Sequence, residues 1–135
     1  MKLCSACLLG INCKYDGKAR ANKKVIELSK KEDLIPVCPE QLGGLPTPRE
    51  PAEFRNGKVV TTSGKDFTTE FEKGAQEVLK IVKQLEISEA ILKQRSPSCG
   101  SGKLTMLDLN ITNGDGVTTA LLKANGIKVI SEEDL

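Results

Sequence analysis

The sequence contains no histidine. That absence excludes a Ser–His–Asp triad, a Cys–His nucleophile pair and any zinc site built on imidazole. Tryptophan is also missing, and Tyr15, Phe54, Phe67 and Phe71 are the only aromatic residues. Four rings are too few for a platform on which single-stranded bases stack. Charge is nearly balanced, with 20 Lys and Arg against 18 Asp and Glu, so total charge implies no polyanion-binding surface and no stable nucleic-acid partner is expected. No apolar run approaches the length of a membrane span, and the opening "MKLCSACLLGINC" turns polar too soon for a secretory signal. The sequence reads as that of a cytoplasmic protein without a membrane partner. At 135 residues it is expected to form a single α/β domain over 1–135.

Five cysteines are present, an odd number. In a reducing compartment they are not expected to form a disulfide framework. With histidine absent, their helpers must be carboxylates, hydroxyls, lysines or a metal.

The apolar runs "KLCSACLL", "DLIPVC" and "EAILKQR" read as buried strands, the first ending near Cys7. The strongest helix is expected from about Thr68 to Leu85, where Phe71, Ala75, Val78, Leu79, Val82 and Leu85 form one stripe and Thr68 or Thr69 supplies the N-cap. A weak helix covers "KKVIELSKKE", the segment from Pro39 to Pro51 is an extended proline-rich loop, and "GKVVTTSGKD" is a hairpin or short strand turning at Ser63-Gly64. The last unit, from Gly114 onward, is a short helix with Asp115 as N-cap, a stop at Gly126 and a final strand. Its Gly-Asp-Gly start also has the form of an anion site. Strands alternating with helices predict a three-layer α/β/α sandwich around a mostly parallel, Rossmann-like sheet.

In such sheets ligands bind beyond the carboxyl ends of the strands. Cys7 closes the first strand, Cys38 the second, and Cys99 follows the third, so three distant segments deliver one thiol each to the same edge. Cys4, inside the first strand, reads as a small buried hydrophobe, and Cys13 in "NCKYDG" as a packing residue or a fourth thiol near the site. A Cys4–Cys7 redox pair would lie within a strand, away from the helix N-terminus that stabilises thiolates. Three thiols without imidazole suit soft-metal chemistry, either zinc short of one ligand or an iron–sulfur cluster.

Five stretches occur in order: "SACLLG" (Ser5 to Gly10), "CKYDG" (Cys13 to Gly17), "VCPEQLGGLPTPR" (Val37 to Arg49), "ILKQRSPSCGSG" (Ile91 to Gly102) and "GDGVTTALL" (Gly114 to Leu122). Together they resemble the thiouracil desulfidase family over nearly the whole chain. The resemblance implies a [4Fe-4S] cluster held by Cys7, Cys38 and Cys99, with one iron open to the sulfur of a thiolated pyrimidine such as 4-thiouracil or 4-thiouridine monophosphate. It also implies Glu40 and Ser96 as the catalytic polar groups, the products being the oxo-pyrimidine and sulfide. Arg49 is a candidate for the substrate's phosphate or carbonyl oxygen, or else a solvated loop cation. Gly43 and Gly44 are expected to let ligand or cluster approach the main chain, and Lys93 and Arg95 to share one face beside the anionic cluster. The stretch from Lys103 to Asn113 departs from the family pattern in lacking its Tyr-Asp-Gly and aromatic. The same thiols are compatible with a metal- or cluster-binding sulfur-relay module without desulfidase activity.

Overall fold

A computed structural model describes residues 1–135. Along the chain come β1 (Lys2–Ser5), α1 (Lys23–Ser29), β2 (Leu34–Val37), α2 (Pro39–Leu42), β3 (Ala52–Arg55), β4 (Lys58–Thr61) and α3 (Thr68–Gln84). Then follow β5 (Glu89–Leu92), β6 (Lys103–Thr105), β7 (Ile111–Asn113), α4 (Val117–Ala124) and β8 (Lys128–Ser131), with 3₁₀ turns at Ala6–Leu9 and Glu132–Asp134.

Four strands form the central sheet in the order β2-β1-β5-β8, and every pairing is parallel. Because side chains alternate along a strand and helices cover both faces, the strand centres are apolar on both sides, with Lys2, Glu89 and Lys128 confined to the strand starts. Leu3, Ala90 and Leu92 pack with Val78, Val82 and Leu122 of α3 and α4. Cys4 and Ile91 point the other way and pack with Leu8 and Val25, the latter from α1. The result is the expected three-layer α/β/α arrangement.

Several boundaries differ from expectation, each for a local reason. The first strand stops at Ser5, and Cys7 sits in the following 3₁₀ turn. Strand β4 is the expected short strand and is followed by the expected turn at Ser63-Gly64, closed by Gly64 N donating to Thr61 O at 3.0 Å. Its main antiparallel partner, however, is the preceding β3, which the sequence did not reveal. The turn between β3 and β4 is Asn56-Gly57, both at positive φ, the pair that two-residue hairpins favour. Thr68 does not cap α3. Asp66 Oδ1 accepts the Thr68 amide at 2.8 Å, while Thr68 Oγ1 accepts the Val59 amide at 2.9 Å, which ties the hairpin to the helix start. The Lys103–Asn113 stretch is a second antiparallel hairpin, β6–β7.

One close approach positions the site. Helix α2 begins directly after Cys38 with Pro39 in its first turn, where proline's fixed φ and missing N–H cost nothing. At Gly74, in the middle of α3, an added Cβ would lie 1.9 Å from the Pro39 carbonyl oxygen, and one at Gly43 would lie 1.9 Å from that of Glu70. Two glycines thus let α2 press backbone to backbone on α3, and this contact fixes where Cys38 and Glu40 emerge.

Candidate functional site

The carboxyl ends of β1, β2 and β5 open on a cavity of about 470 Å³. Cys7, Cys38 and Cys99 line it, as do Glu40 and Ser96. Cys4 does not. It is fully buried in the core behind β1, its thiol donating to the Ser5 carbonyl at 3.4 Å. Cys13 also lines the cavity, 2% exposed, with its thiol in hydrogen-bond contact with those of Cys38 and Cys7. Sequence reasoning left its role open between packing and site. The signal for the site reading is the adjacent Tyr15, which stands at the same cavity wall.

Burial and mutual contacts favour the protonated form of Cys13, Cys38 and Cys99 in the cluster-free chain. Burial pushes Cys99 up to about 12. Cys13 rises to about 11, because contact with Cys7 and burial outweigh the lowering by Cys38. Cys38 rises further, first through its bond with Cys13 and then through burial. A soft metal that replaces the proton removes this cost, so metal binding here must release protons.

Each thiol-bearing segment is anchored by its backbone. The Arg20 amide donates to the Cys7 carbonyl at 3.0 Å, closing the long turn-rich loop back onto the site. The Cys99 loop is held by α4: the Val117 and Thr118 amides donate to the Pro97 and Ser98 carbonyls, and Thr119 Oγ1 donates to the Cys99 carbonyl at 2.8 Å. The start of α4 is therefore filled by the cysteine loop and is not an anion site. Gly116, in place of Asp115, is its N-cap. Asp115 instead accepts the Gly102 amide at 2.8 Å and pairs with Lys123. Buried Gln94, unforeseen from sequence, pins the same loop by accepting from Ser101 N at 2.7 Å and donating to Ser101 O at 2.9 Å.

Ser96 Oγ accepts two backbone bonds, from Ser98 N and Cys99 N, both at 3.1 Å. With both lone pairs occupied, its hydroxyl proton is left free to donate. Glu40 accepts from Arg49 Nε at 2.9 Å through Oε1, and its Oε2 has no protein partner. The site therefore holds a fixed acceptor and a fixed donor on the wall that carries the thiols.

The five residues expected to flank the substrate or the cluster do not behave alike. Gly43 and Gly44 are absent from the cavity wall. Gly43 serves the α2–α3 contact, and Gly44 takes a left-handed turn at φ +96°. Lys93 lies on the wall, but its ammonium is bound to Glu132 at 3.1 Å and to the Gln94 carbonyl. Arg95 follows a strand that has already ended at Leu92, and it pairs with Glu133. Both cations thus answer to the C-terminal acidic turn. Arg49 is only 3% exposed, which rules out the solvated-cation reading.

A model of the 2-thiouracil desulfurase family matches residues 3–134. The chain belongs to the 2-thiouracil desulfurase family. YbbK of Bacillus subtilis, an uncharacterised protein, is 45% identical over 148 residues, spanning 100% of this chain and 97% of its own. Among solved structures, TudS, a [4Fe-4S]-dependent thiouracil desulfidase, matches with a TM-score of 0.94 at 43% identity, over 99% of this chain and 91% of its own. The stretches that resemble the desulfurase family all serve this cavity. Four of them carry residues on its wall, and "GDGVTTALL" buttresses the Cys99 loop from behind.

Proposed function

We propose that this desulfurase-family chain is an iron–sulfur-dependent desulfidase. It converts a thiolated pyrimidine and water into the oxo-pyrimidine and hydrogen sulfide, with 4-thiouracil or 4-thiouridine monophosphate as substrate. The observation that carries the reading is the convergence of Cys7, Cys38, Cys99, Glu40 and Ser96 on one cavity.

The donor set fits a [4Fe-4S] cluster. Three thiols and no imidazole are soft ligands, and they are spread around a cavity. No three thiols or carboxylates close on a point that would grip a single ion, which favours a group several ångströms across over one zinc. Cys7, Cys38 and Cys99 would hold the cluster, and an iron without a protein thiolate would supply a soft Lewis acid for the departing sulfur.

The chain's own residues supply the rest. Exchange of C=S for C=O changes no oxidation state, so the site must only place a water and move protons. Glu40 Oε2, free on the cavity side, takes a proton from that water. The Ser96 hydroxyl, able only to donate, orients the water or meets negative charge developing on the ring. Tyr15 and the side chains of Met106 and Leu107 form the outer wall, where an aromatic ring and apolar surface can flank a flat pyrimidine.

Sulfide and oxo-pyrimidine should appear in equal amounts when anaerobically loaded protein is given 4-thiouracil. Loaded protein that releases no sulfide from either the base or its nucleotide would leave a cluster-binding sulfur-relay module.

A further inference from the structure

We propose that Arg49 is the positioning residue of this site: a buried guanidinium that holds Glu40 in one orientation, donates to the Cys38 sulfur and takes no part in gripping the substrate. The inference rests on the desulfidase reading above.

Arg49 differs from the other cations of the cavity wall. Its side chain is 3% exposed, against 17% for Lys14, 22% for Lys93 and 41% for Arg95. Its donors are also fully committed. Nε donates to Glu40 Oε1 at 2.9 Å. Nη1 donates to Pro46 O at 3.2 Å and to Thr47 Oγ1 at 3.1 Å. Nη2 donates to Cys13 O at 2.9 Å and reaches Cys38 Sγ at 3.9 Å. A guanidinium has five N–H groups, and these are five acceptors. Nothing remains for a phosphate or a carbonyl of the substrate.

The contacts join three segments that sequence alone leaves separate. The Arg49 amide donates to Tyr15 O at 2.7 Å, so "CKYDG", "CPE" and "PTPR" meet at one residue. Two consequences follow for the site. First, Oε1 of Glu40 is tied by a charge-assisted bond, which sets the carboxylate plane and directs Oε2 at the cavity. Second, an N–H aimed at Cys38 Sγ, with positive charge behind it, withdraws electron density from a cluster ligand. Hydrogen bonds of this kind raise a cluster's reduction potential.

The test uses cluster-loaded protein carrying Arg49→Gln, Arg49→Lys, Glu40→Gln or the Arg49→Gln/Glu40→Gln pair. Three quantities are read: the cluster's midpoint potential, the dissociation constant for 4-thiouracil and its nucleotide, and kcat. Arg49→Gln should lower the potential and reduce kcat by about a hundredfold, with ligand affinity within about twofold of the parent. The double variant should be no slower than Glu40→Gln alone, because the two residues act as a unit. Arg49→Lys keeps the charge but lacks the fork of donors, so it should restore part of the potential and part of kcat. It carries the same test if Arg49→Gln does not load. A tenfold or greater loss of nucleotide affinity with kcat intact would overturn the proposal and make Arg49 a substrate ligand. So would an unchanged potential, full kcat in Arg49→Lys, or kcat losses that multiply in the double variant. If the loaded parent itself releases no sulfide, the desulfidase reading fails, while the potential and affinity measurements still decide the role of Arg49.

Discussion

Under the proposed mechanism Glu40, with Oε1 held by Arg49, takes the proton on Oε2, the oxygen without a protein partner. Glu40→Gln preserves shape and much of the hydrogen bonding but cannot accept that proton. Loaded Glu40→Gln should keep the parent's cluster spectrum and affinity for 4-thiouracil while turnover falls by about a hundredfold or more. Full activity would reduce Glu40 to a structural partner of Arg49. Among the thiols, Cys7→Ser, Cys38→Ser and Cys99→Ser should each lose iron on anaerobic purification, since a hydroxyl is a poor soft-metal ligand. Cys4→Ser, altering a residue of the core behind the strand, should retain it. Iron lost from Cys4→Ser but not from Cys7→Ser would invert the assignment. The thiols were legible in the sequence because strand ends in a parallel sheet share an edge. Arg49 was not, because its role depends on acceptors that the fold gathers from Cys13 as well as from the Cys38–Thr47 segment.

At the level of elements, the four sheet strands were legible because strands buried on both faces are short, unbroken apolar runs. Both hairpins escaped. Strand β3 reads "AEFR" and β7 reads "ITN", the latter fully exposed, so neither offers an apolar run to recognise. Asn56-Gly57 was the available signal for the first hairpin. Helix α2, four residues behind a proline, was indistinguishable from the loop around it. Its seat on α3 yields a prediction in which two effects oppose each other. By helix propensity alone, Gly74→Ala should stabilise the chain by about 1 kcal/mol. The new methyl, however, would meet the Pro39 carbonyl at 1.9 Å, and forcing the two backbones apart costs about 2–3 kcal/mol. The clash should win, lowering the urea midpoint and loosening the Cys38–Glu40 turn. A midpoint equal to or above the parent's would mean that α2 moves aside freely.

For the molecule as a whole, the site's chemistry couples to its stability. In the cluster-free chain Cys4 and Cys99 are pushed up to about 12 from an ordinary 9.0, both mainly by burial. Between those values the unfolded chain has given up protons that the folded chain retains. Stability therefore falls as pH rises through that window and is unaffected by these thiols below it. The urea midpoint of reduced, cluster-free protein should fall as pH rises from about 9 towards about 12. In loaded protein the Cys99 share of that loss should vanish, because a metal-bound sulfur has already given up its proton. An identical drop with and without the cluster would contradict Cys99 as a ligand. The central claim is that the strand-end cavity performs a redox-neutral exchange of sulfur for oxygen from water. Turnover of 4-thiouracil by loaded protein in heavy-oxygen water, without added reductant, tests it most directly. The account predicts one labelled oxygen in each oxo-pyrimidine and one sulfide released with it. Unlabelled product, or sulfide formed only when a reductant is consumed in equal amount, would contradict it.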